Sequence, residues 1–224
     1  MPPVKFGVGQ SVRRKEDDAL IRGKGRYTDD VAPSASLHAL MLRSPHAHAT
    51  FRIDASRART LPGVAAILTG EDVKDLGDLP CLFNLPDTPF TGPAYPILAR
   101  DEVRHVGDAV AFVVAETIEQ ARDAIEAVDV QWTPLPAVAG LANAVKKGAP
   151  QVWPQFPGNV LFDTSLGDKK ATEAAFARAH AVAEITIVNP RIVTNYMETR
   201  AAVCEYDAKR DHLTLTIGSQ GSHR

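Results

Sequence analysis

The most regular hydrophobic pattern lies in the middle of the chain. Residues 109–115 (AVAFVVA) form a nearly unbroken apolar run rich in β-branched residues, which predicts a central strand covered on both faces. Thr117 and Gln120 have the spacing of a capping box, and apolar residues at helical spacing follow over 118–128, which predicts a helix packed on the sheet. Alternation over 128–132 then predicts a second strand. The pattern therefore indicates a strand–helix–strand α/β module.

Shorter patterns on both sides of this module predict further elements. Gly23 ends a short helical pattern, and Asp168 can cap a later one. Apolar or alternating runs bounded by turn residues predict strands. The helices are expected at 16–22 and 168–179, and the strands at 37–42, around Phe51 and Ile53, and at 64–68, 181–188, 201–206 and 213–219.

The last two predicted strands form a β-hairpin. Leu213, Leu215 and Ile217 alternate with polar or small residues, so one face of the hairpin is expected to be buried. The chain stops at Arg224, and no residues remain to cover that face or to pair with the free edge. The last part of the chain is therefore expected to be an incomplete domain.

Two proline-rich stretches interrupt the pattern. Residues 77–96 show little periodicity, which is typical of a long crossing that either wraps a partner surface or covers a site. The sequence leaves both alternatives open. Residues 133–158 are rich in proline and glycine and mark the expected domain boundary.

Composition narrows the class of protein. The 25 basic and 27 acidic residues give a formal charge of -2, which provides no long-range attraction for nucleic acid or an anionic membrane. Cys81 and Cys204 are the only cysteines and lie far apart, so a disulfide framework, a zinc ribbon or an iron–sulfur cluster cannot be built from this chain alone. The sequence has no secretion signal and no run of about 18 apolar residues, so we expect a cytoplasmic protein without a membrane span.

Two loops carry residue types that bind ligands in other proteins. Gly23 and Gly25 flank Lys24 as in a phosphate cradle, but no strand precedes them, so a surface turn is the favoured interpretation. His46 and His48 are spaced as metal ligands can be, but no cysteine or carboxylate lies near them in sequence. A hydrogen-bonded pair of loop histidines is favoured over a metal site.

Two clusters near the end of the chain are candidates for chemistry. Met197, Glu198 and Arg200 lie within four residues, and a structural ion pair between the last two is favoured over a catalytic role. Gln220 and His223 follow the last predicted strand, where loops often hold ligand-binding groups. Neither cluster resembles the arrangement of a nucleophile with its base, and the chain has no Walker or Rossmann loop.

Several longer stretches form a recognisable series in their order along the chain. They are GQSVRRKED (9–17), GKGRYTDD (23–30), LHALMLRSPHAHA (37–49), LPGVAAILTGEDV (61–73), VRHVGDAVAFVVAET (103–117), VDVQWTPLPAV (128–138), NYMETRAAVCEYD (195–207) and LTIGSQGSH (215–223). Together they resemble the large, molybdenum-binding subunit of the xanthine dehydrogenase, aldehyde oxidase and aerobic carbon monoxide dehydrogenase family, and the resemblance covers essentially the whole chain.

The resemblance implies an α+β fold in successive parts. Residues 1–19 are an N-terminal extension, and residues 20–133 form a hammerhead-type α/β domain with a mixed sheet. A Pro/Gly-rich linker follows at 134–158. Residues 159–224 begin a molybdopterin-binding domain that is incomplete.

The resemblance also implies roles for single residues. Gln220 is expected beside the molybdenum, and Gln220 with Gly221 is expected to bind the molybdopterin cofactor. Met197, Glu198 and Arg200 are expected in the shell around the substrate pocket. No residue of this chain is expected to be a metal ligand. The family's glutamate base and its glycine-rich pterin loops match no stretch of these 224 residues.

The implied activity is oxidative hydroxylation of carbon monoxide, an aldehyde or a heterocycle, with the substrate left open. The resemblance implies that a molybdenum cofactor would supply the oxygen and accept the two electrons, which would leave through partner subunits that carry iron–sulfur clusters and FAD. We expect this chain alone to be inactive, as a fragment, a truncated product or one part of a split large subunit. The alternatives are a non-catalytic docking module and, less favoured, a binder of small molecules that uses the loop at 77–96.

Overall fold

The computed structural model describes residues 13–80, 92–93, 95–190, 192–196 and 198–219. Its described residues fall into a larger unit, residues 37–184, and a smaller unit made of residues from 1–36 and 185–224. The helices are α1 (Asp17–Ile21), α2 (Ile118–Ala127), α3 (Leu141–Ala144) and α4 (Lys169–Arg178). The strands are β1 (His38–Arg43), β2 (Ala49–Asp54), β3 (Val64–Thr69), β4 (Asp78–Leu79), β5 (Tyr95–Pro96), β6 (Glu102–Val103), β7 (Ala109–Ala115), β8 (Asp129–Pro134), β9 (Ala202–Asp207) and β10 (His212–Ile217).

The predicted central strand is confirmed. β7 lies between β1 and β3 in a three-stranded sheet, and Val113 and Ala115 on it are fully buried. The predicted capping box is also confirmed, because the Thr117 N–H donates to Gln120 Oε1 at 3.0 Å and the Gln120 N–H donates to Thr117 Oγ1 at 3.2 Å. Helix α2 starts there and packs on the sheet through its buried alanines. Local pattern and tertiary packing therefore agree in this module.

The strand after α2 joins a different sheet. β8 pairs with β2, which also pairs with β6, so the order in this second sheet is β6-β2-β8. Every strand pair in the described part of the chain is antiparallel, whereas a mixed sheet was expected. The reason is that the α2 crossover does not return to the sheet it left, and a parallel pair needs such a return. The α+β class itself is confirmed.

Outside this module the predicted helices and strands are present, with one exception. Asp168 caps α4 by accepting from the Ala171 N–H at 2.9 Å, and Gly23 follows α1 with φ of 67°. Residues 181–188 do not form the predicted strand, and Ile185 and Val188 are 80% and 81% exposed. An alternating pattern makes a strand only where a neighbour can pair with it, and no described strand pairs with this segment.

Other sequence-based expectations are tested only in part. Most of the proline-rich crossing, residues 81–91 and 94, lies outside the described residues, and β4 pairs with β5 at its two ends. Among the residues that the structure describes, no helix is long and apolar enough to cross a membrane.

The histidine loop is held by hydrogen bonds, as the favoured interpretation predicted. His48 Nδ1 lies 2.8 Å from the Pro136 carbonyl oxygen, and His48 Nε2 lies 2.7 Å from Glu102 Oε1. Arg104 donates to the other carboxylate oxygen of Glu102 at 2.6 Å and stacks over Trp153, 4.0 Å from the ring centroid. No group of three potential metal ligands occurs among the described residues. Glu102 on β6 therefore contacts His48 and Arg104, and these two residues contact the segment 135–153.

Removing this link should loosen that segment within the larger unit. We expect Glu102→Ala to cost about 1–3 kcal/mol locally, because two partly buried partners lose a charged acceptor. Trypsin should then cleave after the exposed Lys146 or Lys147 roughly tenfold faster than in the unsubstituted chain. Glu71→Ala is the control, because Glu71 forms a surface ion pair with the exposed Lys74. Equal cleavage rates in the two variants would contradict the link.

Candidate functional site

The structure describes two of the residues that were assigned to the site from the sequence. Glu198 and Arg200 are described, and both belong to the smaller unit. The remaining candidates, Met197, Gln220, Gly221 and His223, lie outside the described residues.

Glu198 is held by a turn from the other end of the chain. Glu198 Oε1 accepts a hydrogen bond from the Thr28 N–H at 3.2 Å and another from Thr28 Oγ1 at 3.0 Å. Thr28 is only 6% exposed and Glu198 is half-buried, so both hydrogen bonds are partly shielded from water. Next to them, Thr199 Oγ1 donates to Asp29 Oδ2 at 3.3 Å. Two segments 170 residues apart in sequence thus meet at a carboxylate.

The partner of Glu198 is the first residue of a 3-10 turn, Thr28–Val31. The Tyr27 N–H donates to Asp30 Oδ2 at 2.8 Å, and the Asp30 N–H donates to the Tyr27 carbonyl at 3.0 Å. These bonds fix the turn from within. The first N–H groups of a helical turn have no partner inside it and need an outside acceptor. A carboxylate is the strongest such acceptor, and Glu198 supplies it.

The second oxygen of Glu198 lies against the end of β10. A Cβ atom built on Gly218 would approach Glu198 Oε2 to 3.3 Å, which is closer than ordinary van der Waals contact. Gly218 directly follows β10 and leads into residues 219–221. The carboxylate therefore joins three stretches of the smaller unit: the 28–31 turn, its own segment and the end of β10.

The ion pair expected between Glu198 and Arg200 is absent, although both residues are described. The carboxylate of Glu198 binds Thr28 instead, because a backbone N–H and a hydroxyl from a buried threonine reach it together. Arg200 is exposed. The sequence analysis missed Thr28 and Gly218 as members of this cluster. Both stand in the stretches that resemble the family, but nothing local in those stretches shows which residues meet.

β9 and β10 form the predicted hairpin. Tyr206 donates through its hydroxyl to Asp211 Oδ1 at 2.7 Å near the hairpin turn, and this hydrogen bond, with a smaller contribution from burial, raises the pKa of Tyr206. The hollow at that turn, lined by residues 205–209 and Thr214, is open to solvent. It lies at the opposite end of the hairpin from Gly218, so it is not part of the Glu198 cluster.

Two protein-family matches together cover most of the chain. Residues 22–136 match the a/b hammerhead domain of aldehyde oxidase and xanthine dehydrogenase. Residues 152–224 match the molybdopterin cofactor-binding domain.

Relatives and solved structures agree with these matches. The chain is 35% identical to the carbon monoxide dehydrogenase large chain of Afipia carboxidovorans over 97% of this chain and 28% of that one. It is 32% identical to the nicotine 6-hydroxylase large subunit of Paenarthrobacter nicotinovorans over 99% of this chain and 27% of that one. The structure of quinoline 2-oxidoreductase from Pseudomonas putida 86 superposes with a TM-score of 0.81 at 36% identity, over 95% of this chain and 27% of that one.

The matches therefore span little more than a quarter of each of these relatives. The hammerhead match alone, residues 22–136, takes in more than half of the 224 residues, and the cofactor-domain match follows it in chain order. This chain belongs to the aldehyde oxidase and xanthine dehydrogenase family of molybdenum oxidoreductases.

Proposed function

We propose that the chain is the N-terminal segment of the large subunit of a molybdenum hydroxylase. The complete enzyme would hydroxylate carbon monoxide, an aldehyde or a heterocycle. One observation of the structure carries the proposal. The Thr28–Glu198 hydrogen bonds join two stretches that resemble the family, GKGRYTDD and NYMETR, next to the strand end that leads to Gln220. If one wall of the site is built from both ends of the segment, residues far apart in sequence must contact each other, as Thr28 and Glu198 do.

The proposed roles follow from this placement and from the resemblance. Gln220 and Gly221 would lie at the molybdenum cofactor, and Met197 and Arg200 would line the surrounding shell. Glu198 would belong to that shell as a positioning residue, because its carboxylate is already bound by Thr28.

The proposal extends to the domains and partners of the chain. An N-terminal extension at 1–19 would precede the hammerhead domain at 20–133. The linker 134–158 would then lead to the start of the cofactor-binding domain at 159–224. In the cytoplasm, the partners would be the rest of the large subunit, an iron–sulfur subunit and an FAD subunit.

The described residues do not hold a molybdopterin cofactor by themselves. A pterin needs several donors that converge from rigid elements around an enclosed site. Residues 198–219 provide one hairpin whose residues are nearly all exposed, and the Glu198 carboxylate is an acceptor already in use. We therefore assign no chemical step to this chain alone. Its own residues bind one another and shape one side of the site.

The purified 224-residue chain should accordingly contain no stoichiometric molybdenum and should reduce no dye with any of the candidate substrates. Metal analysis by plasma mass spectrometry and a dye-reduction assay check this. The control is the complex that the chain forms in its native source, isolated by pull-down, which should contain molybdenum and be active. A stoichiometric, active metal centre in the isolated chain would contradict the proposal, and a metal-free complex would favour the non-catalytic docking module.

A further inference from the structure

One face of the β9–β10 hairpin is apolar and uncovered. Residues directly opposite each other in an antiparallel pair share a face of the sheet. The pairs on this face are Leu213 with Tyr206, Leu215 with Cys204, and Ile217 with Ala202. The three aliphatic side chains of β10 are 60%, 57% and 51% exposed, and Tyr206 is 63% exposed. We call these six residues the apolar hairpin face.

The opposite face has a different character. It presents the pairs His212 with Asp207, Thr214 with Glu205, and Thr216 with Val203. The hairpin is thus amphipathic, which is the pattern of a sheet with one solvated face and one covered face. An isolated two-stranded hairpin is marginally stable in water and needs a covering layer. Most residues on both faces are exposed, so the face that carries the apolar side chains has no covering layer in this part of the structure.

We infer that the apolar hairpin face is the docking surface for the rest of the molybdopterin-binding domain. The inference rests on the proposed function and names the residues through which this segment would meet the remainder of its subunit. The relative lengths argue for that occupant. Quinoline 2-oxidoreductase shares the fold over 95% of this chain, but that stretch is only 27% of its own length. Relatives of this fold therefore carry a large amount of further polypeptide.

The chemistry of the face also selects its occupant. Besides the Cys204 thiol and the Tyr206 hydroxyl, the face has no polar side chain, and the Tyr206 hydroxyl donates to Asp211 at the hairpin turn. A charged surface would lose its hydration there without gaining a partner. The occupant is therefore an apolar layer, as in the interior of a domain, and not a basic, acidic or nucleic-acid partner.

Cys204 lies at the centre of the face and is a native reporter of its accessibility. In a Cys81→Ser background it is the only thiol of the chain. We expect it to react with a thiol reagent in the isolated chain and to react at least about tenfold more slowly in the assembled complex. The matched control is Thr214→Cys with Cys204→Ala and Cys81→Ser, which places the thiol on the opposite face. That thiol should react equally fast in both states.

A second variant tests docking by yield. Leu215→Glu should leave the isolated chain folded, with unchanged circular dichroism, because the side chain is already exposed, but should lower recovery of the complex at least about tenfold. Thr214→Glu, one residue away on the opposite face, should leave recovery unchanged.

The outcomes separate this inference from the proposed function. An active, molybdenum-containing complex in which Cys204 stays reactive, or in which both thiol positions are protected, overturns the inference alone. A complex without metal or activity overturns the proposed function and, with it, the inference. Protection of Cys204 in the isolated chain together with a dimer mass by light scattering also overturns the inference, because the occupant is then a second copy.

Discussion

Gly70→Ala is expected to destabilise the larger unit by about 3 kcal/mol, the upper end of the usual cost of overpacking. A Cβ atom at this position would lie 2.6 Å from the Ala99 carbonyl oxygen and 2.9 Å from the Arg100 Cα atom. Both are backbone atoms, so the clash cannot be relieved by rotating a side chain. The Ala99 N–H donates to the Ala109 carbonyl at 2.8 Å at the start of β7, which holds the 98–100 segment in place.

Urea unfolding followed by tryptophan fluorescence measures this effect. Trp132 and Trp153 are the only tryptophans and both lie in the larger unit, so their signal reports on it. Gly158→Ala is the control, because a Cβ atom there meets nothing within 4 Å. Its φ of 71° and ψ of 12° lie in the left-handed helical region, so alanine should cost only about 1 kcal/mol there. Equal losses in both variants would contradict the close approach at position 70.

Elements that are set by local pattern could be predicted from the sequence. Residues 109–115 are apolar on both faces because each face meets a buried cluster. Val113 and its neighbours pack with α2 in one cluster, and Val110 packs with Phe51 in the other. The capping box at Thr117 and the Asp168 cap depend on side chains within three residues of their partners. Neighbouring residues are sufficient to define such contacts, so these predictions are confirmed.

Pairings between distant segments could not be predicted. The alternation at 128–132 identifies a strand, but nothing in it says that β8 pairs with β2 and not with β7. The pattern at 181–188 is equally strand-like and has no described partner. In the site, Glu198 could be identified as a candidate from the sequence. Its contact with Thr28 could not, because the two residues are 170 positions apart and only the fold brings them together. Gln220, taken from the family resemblance, remains a prediction.

In the complete enzyme that we propose, Glu198→Ala is expected to lower kcat by about two orders of magnitude with little change in KM. The carboxylate holds the 28–31 turn through Thr28 and lies against Gly218, two residues before Gln220. Without it, the end of β10 loses a fixed neighbour, and a displacement of about 1 Å at a reacting group costs roughly 100-fold in rate. A residue that positions others affects turnover more than substrate binding.

Glu198→Gln separates positioning from charge. An amide oxygen accepts from both Thr28 donors, so this variant should keep most of the activity that Glu198→Ala loses. The same contrast should be visible in the isolated chain by hydrogen exchange, because the Thr28 N–H donates to Glu198. Its exchange should be roughly tenfold or more faster in Glu198→Ala and nearly unchanged in Glu198→Gln. If the glutamine variant were as inactive as the alanine variant while Thr28 stayed protected, the charge of Glu198 would act on the substrate directly, and the positioning role would be wrong.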